Sequence, residues 1–157
     1  MNDNLRNIAE LMEPAAGPLL DVGCDDGERT RLFASAAGAD EVHGIELVEE
    51  RAEQARARGI EVQPADVEQG LPYEDGRFAA VVSNQVIEHL ADTDIFVAEI
   101  ARVLEPGGYA VVSTENLASW HNVFALVLGW QPFSLTNVSS TMMGLGNPLA
   151  VHRAEEW

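Results

Sequence analysis

No lysine occurs in the chain. All nine basic residues are arginine, set against 26 aspartates and glutamates, and the formal net charge is −17. A field of that sign repels phosphate backbones, which argues against a nucleic-acid partner and makes an anionic membrane a poor docking surface. Cysteine is almost absent too. The single Cys24 excludes an intramolecular disulfide and fits a reducing, cytoplasmic compartment. No apolar stretch approaches the roughly 20 residues of a membrane span. Met1 to Glu13 lacks the basic start and apolar run of a signal peptide. Internal repeats and low-complexity linkers are also missing. What remains is a chain of 157 residues, 46% of them hydrophobic. That suits one domain, able to bury roughly 70% of the surface its unfolded form exposes.

Short apolar runs alternate with amphipathic stretches, the pattern of a parallel sheet with crossover helices. Asn2 to Glu13 carries Leu5, Ile8, Leu11 and Met12 at helical spacing and stops at Pro14. Leu19 to Gly23 reads as a first strand entering a tight turn, and Glu28 to Ala37 as a helix stopped by Gly38. Strands are expected over Glu41 to Glu46 and Ile60 to Gln63, with a charged helix over Glu49 to Arg58 between them. Phe78 to Ser83 holds the continuous apolar run Ala79-Ala80-Val81-Val82, as in a strand buried on both faces. A helix follows over Asp92 to Leu104, with Ile95, Phe96, Ile100, Val103 and Leu104 facing inward. Pro106-Gly107-Gly108 breaks it before a fifth strand, Tyr109 to Ser113. Trp120, Val123, Phe124, Val127 and Leu128 then form one apolar helical stripe, and beyond Gly129 the chain is loop-like, with Pro132, Gly144, Gly146 and Pro148.

The first turn, Asp21-Val22-Gly23-Cys24-Asp25-Asp26-Gly27, follows a strand and opens a helix. Glycines there let the backbone approach a ligand, and the helix N-terminus offers free N–H groups. Glu46 ends the second strand at about the spacing expected for a carboxylate that bonds ribose hydroxyls. An NAD site would carry G-x-G-x-x-G. Here Asp25 and Glu28 stand at its second and third glycines. Acids in that turn repel a pyrophosphate and suit a ligand bearing a ribose diol and positive charge, such as S-adenosylmethionine.

These residues resemble class I S-adenosylmethionine-dependent methyltransferases. Leu20 to Cys24 through Gly27 is similar to the family's first motif, and Glu46 to its ribose-binding acid. Ala65-Asp66-Val67 matches the position where an acid meets the adenine amino group and the next residue lies by the ring. Ser83-Asn84-Gln85-Val86-Ile87-Glu88-His89-Leu90 resembles the segment after strand four in the type 11 subgroup, and Arg102 to Gly108 the approach to strand five. The likeness covers about residues 19 to 113. It implies a Rossmann-like, doubly wound, mostly parallel sheet with helices on both faces. The family's usual C-terminal antiparallel strand pair is not evident here, so residues 114–157 are expected to cover the acceptor side, possible truncation included. A bare fifth strand would be an edge open to association with another chain. By the same resemblance Asp21, Gly23, Cys24, Gly27, Glu46, Leu47, Asp66 and Val67 hold S-adenosylmethionine, with Asn84, Gln85 and Val86 at its methyl end.

On the acceptor side His89 follows strand four and is the candidate general base. Some relatives hold a divalent metal through Glu-x-x-Glu-His; here Gln85 replaces the first ligand, so no metal is expected. The apolar stripe and the Ser113-Thr114-Glu115-Asn116 segment are compatible with a small-molecule, glycan or lipid-linked acceptor. His43 and His152 receive no role. Two alternatives stay open on the residues alone: an NAD-dependent oxidoreductase, and a domain that binds the cofactor without turnover.

Overall fold

The computed structural model describes residues 3–114 and 120–130. The chain divides into two compact units, Met1–Thr114 and Glu115–Trp157. The loop expected beyond Gly129, with Pro132, Gly144, Gly146 and Pro148, lies outside the described residues, as do Glu115, Asn116 and His152. Of the second unit, helix α5 (Trp120–Val127) coincides with the apolar stripe.

In the first unit four α-helices and five strands follow one another with the expected rhythm: α1 (Asp3–Leu11), β1 (Leu19–Val22), α2 (Glu28–Ala37), β2 (Val42–Ile45), α3 (Glu49–Ala57), β3 (Glu61–Gln63), β4 (Phe78–Asn84), α4 (Thr93–Val103) and β5 (Leu104–Ser113). The strands form one sheet in the order β3-β2-β1-β4-β5, and every pairing is parallel. Central β1 is buried throughout and β4 up to Ser83, as the apolar run predicts. Alternate residues feed two core layers. Leu19, Ala80 and Val82 meet Ile8 and Met12 from the α1 segment and Phe33 of α2. Leu20, Val22 and Val81 meet Phe96, Ile100 and Val103 of α4. A third cluster, Cys24, Ala52, Ala55, Ile60 and Val62, packs α3 onto the β2–β3 side.

The helix ends follow local chemistry. Gly38 adopts a left-handed conformation and donates its N–H to Ala34 and Ser35, closing α2 where expected. Asp92 is the N-cap of α4, accepting the N–H groups of Asp94 and Ile95 at 3.1 and 3.0 Å.

Three expectations are corrected. β5 begins at Leu104, not Tyr109, because Leu104 pairs with Phe78 immediately after α4. The register shifts between Phe78 and Ala80, so Pro106 falls in an irregular stretch where its missing N–H is least costly. Ile95 is half exposed and so does not face inward, and Leu11 is likewise exposed. Each sits beside an inward residue, about 100° away around the helix. His43, given no role, is buried: its ring meets Tyr73 and Phe78 edge-on, and its Nε2 lies 2.8 Å from Glu41 Oε1.

Candidate cofactor site

The strand order reverses direction between β1 and β4, and in open α/β sheets such a switch leaves a crevice at the carboxyl ends of the strands. The turn after β1 is stitched to the end of β2, since the N–H groups of Gly23 and Cys24 both donate to the Ile45 carbonyl, at 2.9 and 3.0 Å. Gly23 has φ 81°, and a Cβ there would stand 2.5 Å from Val86 Cγ2. Both backbone and space therefore demand glycine. Gly27 (φ 81°) opens α2, and a Cβ there would meet Ile60 Cδ1 at 2.5 Å.

Glu46 closes the other side of the turn. Its Oε2 accepts the Asp25 N–H at 3.0 Å, and its Oε1 accepts the Val48 N–H at 2.8 Å. Each oxygen keeps further acceptor capacity. Asp25, at the second glycine position of the NAD pattern, takes φ 48° and sends its carboxylate to Arg51 Nε at 3.4 Å. It is not among the residues lining the cleft.

The cleft holds about 360 Å³ and draws its walls from four strand ends: Gly23 after β1; Ile45, Glu46 and Leu47 at β2; Ala65, Asp66, Val67 and Glu68 after β3; and Val86, His89 and Leu90 after β4. Asp66 caps a single 3-10 turn, Val67–Gln69, by accepting the Glu68 N–H at 3.1 Å. His89 ends a second such turn, Ile87–His89, and its N–H donates to the Val86 carbonyl at 2.9 Å. Three carboxylates, Glu46, Asp66 and Glu68, thus border an apolar slot formed by Ile45, Leu47, Val67, Val86 and Leu90. That set of acceptors beside an apolar slot suits a nucleoside with a ribose diol, a flat base and positive charge.

Of the residues expected at the site, Gly23, Glu46, Leu47, Asp66, Val67, Val86 and His89 line the cleft. Asp21, Cys24, Gly27, Asn84 and Gln85 do not. Asp21 is buried beneath the turn and accepts the Thr30 hydroxyl at 2.6 Å. Burial pushes its carboxyl up to about 7, against the lowering effects of the Thr30 hydrogen bond and Arg29. Cys24 is buried, and burial, with Asp21 and Glu46 nearby, raises its thiol to about 12. Asn84 Oδ1 accepts from Ser113 Oγ and Asn4 Nδ2, both at 2.8 Å, tying β5 and α1 to the end of β4. Gln85 takes φ 61° and donates its N–H to the Ser113 carbonyl at 3.0 Å. Ile45, Ala65, Glu68 and Leu90 line the cleft without having been assigned a role, although Ala65 and Leu90 lie within the quoted motifs. Each adjoins a residue that was assigned one, Glu46, Asp66, Val67 and His89 in turn, and only that neighbourhood could have flagged them.

Fold and cleft together define a Rossmann-like, nucleoside-cofactor-binding domain. Residues 20–112 match the model of the methyltransferase domain family, and the chain belongs to that family. S-adenosylmethionine is the cofactor of that family. A protein of Mycolicibacterium smegmatis described as a probable S-adenosylmethionine-dependent methyltransferase is 40% identical over 106 residues, covering 65% of this chain and 39% of that one. A ubiquinone biosynthesis O-methyltransferase of Bradyrhizobium is 36% identical over 139 residues, covering 81% of this chain and 53% of that one. Among solved structures, a Haemonchus contortus phosphoethanolamine N-methyltransferase, in complex with phosphomonomethylethanolamine and S-adenosylhomocysteine, superposes with a TM-score of 0.62 at 27% identity. It covers 72% of this chain and 28% of that one. The chain spans about half or less of the curated relatives it matches.

Proposed function

We propose that this chain carries the cofactor half of a methyl transfer to an oxygen or nitrogen of a small-molecule, glycan or lipid-linked acceptor. The observation that carries the proposal is the Glu46 carboxylate, held by two backbone N–H groups in a cleft that Asp66 also lines. Glu46 would accept the ribose hydroxyls and Asp66 the adenine amino group, with Leu47, Val67 and Val86 enclosing the apolar surface. Asp21, Cys24, Gly27, Asn84 and Gln85 would act from beneath, by shaping the turn and the end of β4.

The sulfonium of S-adenosylmethionine supplies an already activated methyl group. The protein's task is then mainly orientation, which can account for roughly 7–11 kcal/mol of a barrier. His89, at the cleft wall, would remove the acceptor proton and contribute about 10²–10⁴-fold. The O-methyltransferase relative supports an oxygen acceptor on a small molecule.

Calorimetric titration of the chain with S-adenosylmethionine, S-adenosylhomocysteine and NAD tests this directly. Micromolar binding of the first two, with none of the third, is the expected result. No binding of either sulfur nucleoside would overturn the proposal.

A further inference from the structure

Glu68 sits on the 3-10 turn after β3, on the opposite side of the cleft from the segment that follows β4. Its carboxylate nevertheless reaches that segment: Oε1 accepts the Ala91 N–H at 2.6 Å, across 23 residues of sequence. Ala91 directly follows His89 and Leu90, and all three of Glu68, His89 and Leu90 belong to the cleft wall or adjoin it. The segment's other end is fixed at Val86, which packs against Gly23, and its exit is fixed by the Asp92 cap of α4. Between these two points runs a short stretch with an exposed His89 and no regular strand or α-helix. A tether at Ala91 therefore sets how far the wall stands from Asp66 and Val67.

We infer that Glu68 is a positioning residue for the cofactor cleft: its carboxylate holds the Val86–Ala91 wall at the spacing that receives the ligand. This role rests on the cofactor assignment proposed above. The physical basis is preorganisation. A wall that visits several positions binds in proportion to the fraction of molecules in the competent one, so losing the tether weakens apparent affinity separately from any contact Glu68 makes as part of the cleft lining. A hydrogen bond from an amide to a charged carboxylate is strong enough to matter at that level.

The test uses the full chain and titrates S-adenosylhomocysteine and S-adenosylmethionine into the wild type, Glu68→Ala and Glu68→Gln. Glu68→Ala is expected to weaken both ligands by about five- to tenfold, with faster exchange of the Ala91 amide in the ligand-free protein. Glu68→Gln keeps an acceptor oxygen and is expected to restore affinity for both. Two results would overturn the role while leaving the cofactor assignment intact. One is Glu68→Ala binding like wild type. The other is Glu68→Gln failing as badly as Ala, with the sulfonium ligand hit harder than the thioether, which would mean the charge acts on the ligand directly. A wild-type chain that binds neither ligand would instead overturn the cofactor assignment, and this role with it.

Discussion

Glu46 Oε2 accepts the backbone N–H of Asp25 at 3.0 Å, so the acid that ends β2 and the turn that follows β1 form one unit. Glu46→Ala should therefore do two things. Loss of two ribose hydrogen bonds is expected to weaken S-adenosylhomocysteine binding about 100-fold, and orphaning the Asp25 and Val48 amides to cost about 1–2 kcal/mol of stability. Titration calorimetry and denaturant melts check each effect; unchanged affinity would remove Glu46 from the site.

Asp21 makes stability depend on pH in a definite direction. Its carboxyl is raised from 3.8 to about 7, chiefly by burial, with Glu46 adding to the rise and Thr30 and Arg29 opposing it. Because the folded value exceeds the unfolded one, the native chain holds a proton that the unfolded chain has released. The contribution is full below about pH 4, is lost as pH rises to about 7, and is constant above that. Asp21→Asn should remove this decline. Urea melts at pH 5, 6, 7 and 8 should show a shallower fall in the variant, and equal slopes would contradict the burial of a protonated Asp21.

Cys24 should be inert while the chain is folded. The thiolate is the reactive form, and burial drives the thiol to about 12. Iodoacetamide at pH 8 is expected to label native protein at least 100-fold more slowly than denatured protein, read by intact mass. Rapid native labelling would show that the turn opens readily.

Arg102 organises the loop that leads into β4. It donates to the Leu71 and Tyr73 carbonyls and to Glu99 and Asp75. Glu99 is lowered to about 2, first by its bond to Arg102 and then by the Leu71 amide. Its folded value lies below the unfolded one, so its contribution is present above about pH 4.5 and is lost as pH falls toward 2. Arg102→Lys cannot reproduce the fork and should cost about 1–2 kcal/mol at pH 7. The cost should shrink in acid melts, and a pH-independent loss would point to packing instead.

Much of the fold was legible in the sequence because the signals were local. The run Ala79 to Val82 announced a buried strand, Gly38 a helix stop, and Asp92 a helix start, and each is set by neighbours within a turn or two. The start of β5 was not legible, because its pairing with Phe78 is decided by a strand 26 residues earlier while Pro106 and Gly107 signal a break. The site divides in the same way. Gly23, Glu46, Asp66 and Val86 lie where the family resemblance put them, at strand ends. Asp21, Asn84 and Gln85 belong to the same motifs but turn to Thr30, Ser113 and Asn4, partners that no spacing rule reveals. Glu68 escaped notice for that reason: its importance lies in one amide 23 residues away.

The parallel pairing of β1 with β4, Leu19 opposite Ala80, has a kinetic consequence. Val86, His89 and Leu90 reach Gly23 and Glu46 only once β4 has been inserted beside β1, a long-range closure that is slow compared with local helix formation. No early fragment such as β1–α2–β2 can present a finished cleft. A bound nucleoside therefore slows unfolding of the completed sheet and leaves the rate of its first assembly untouched.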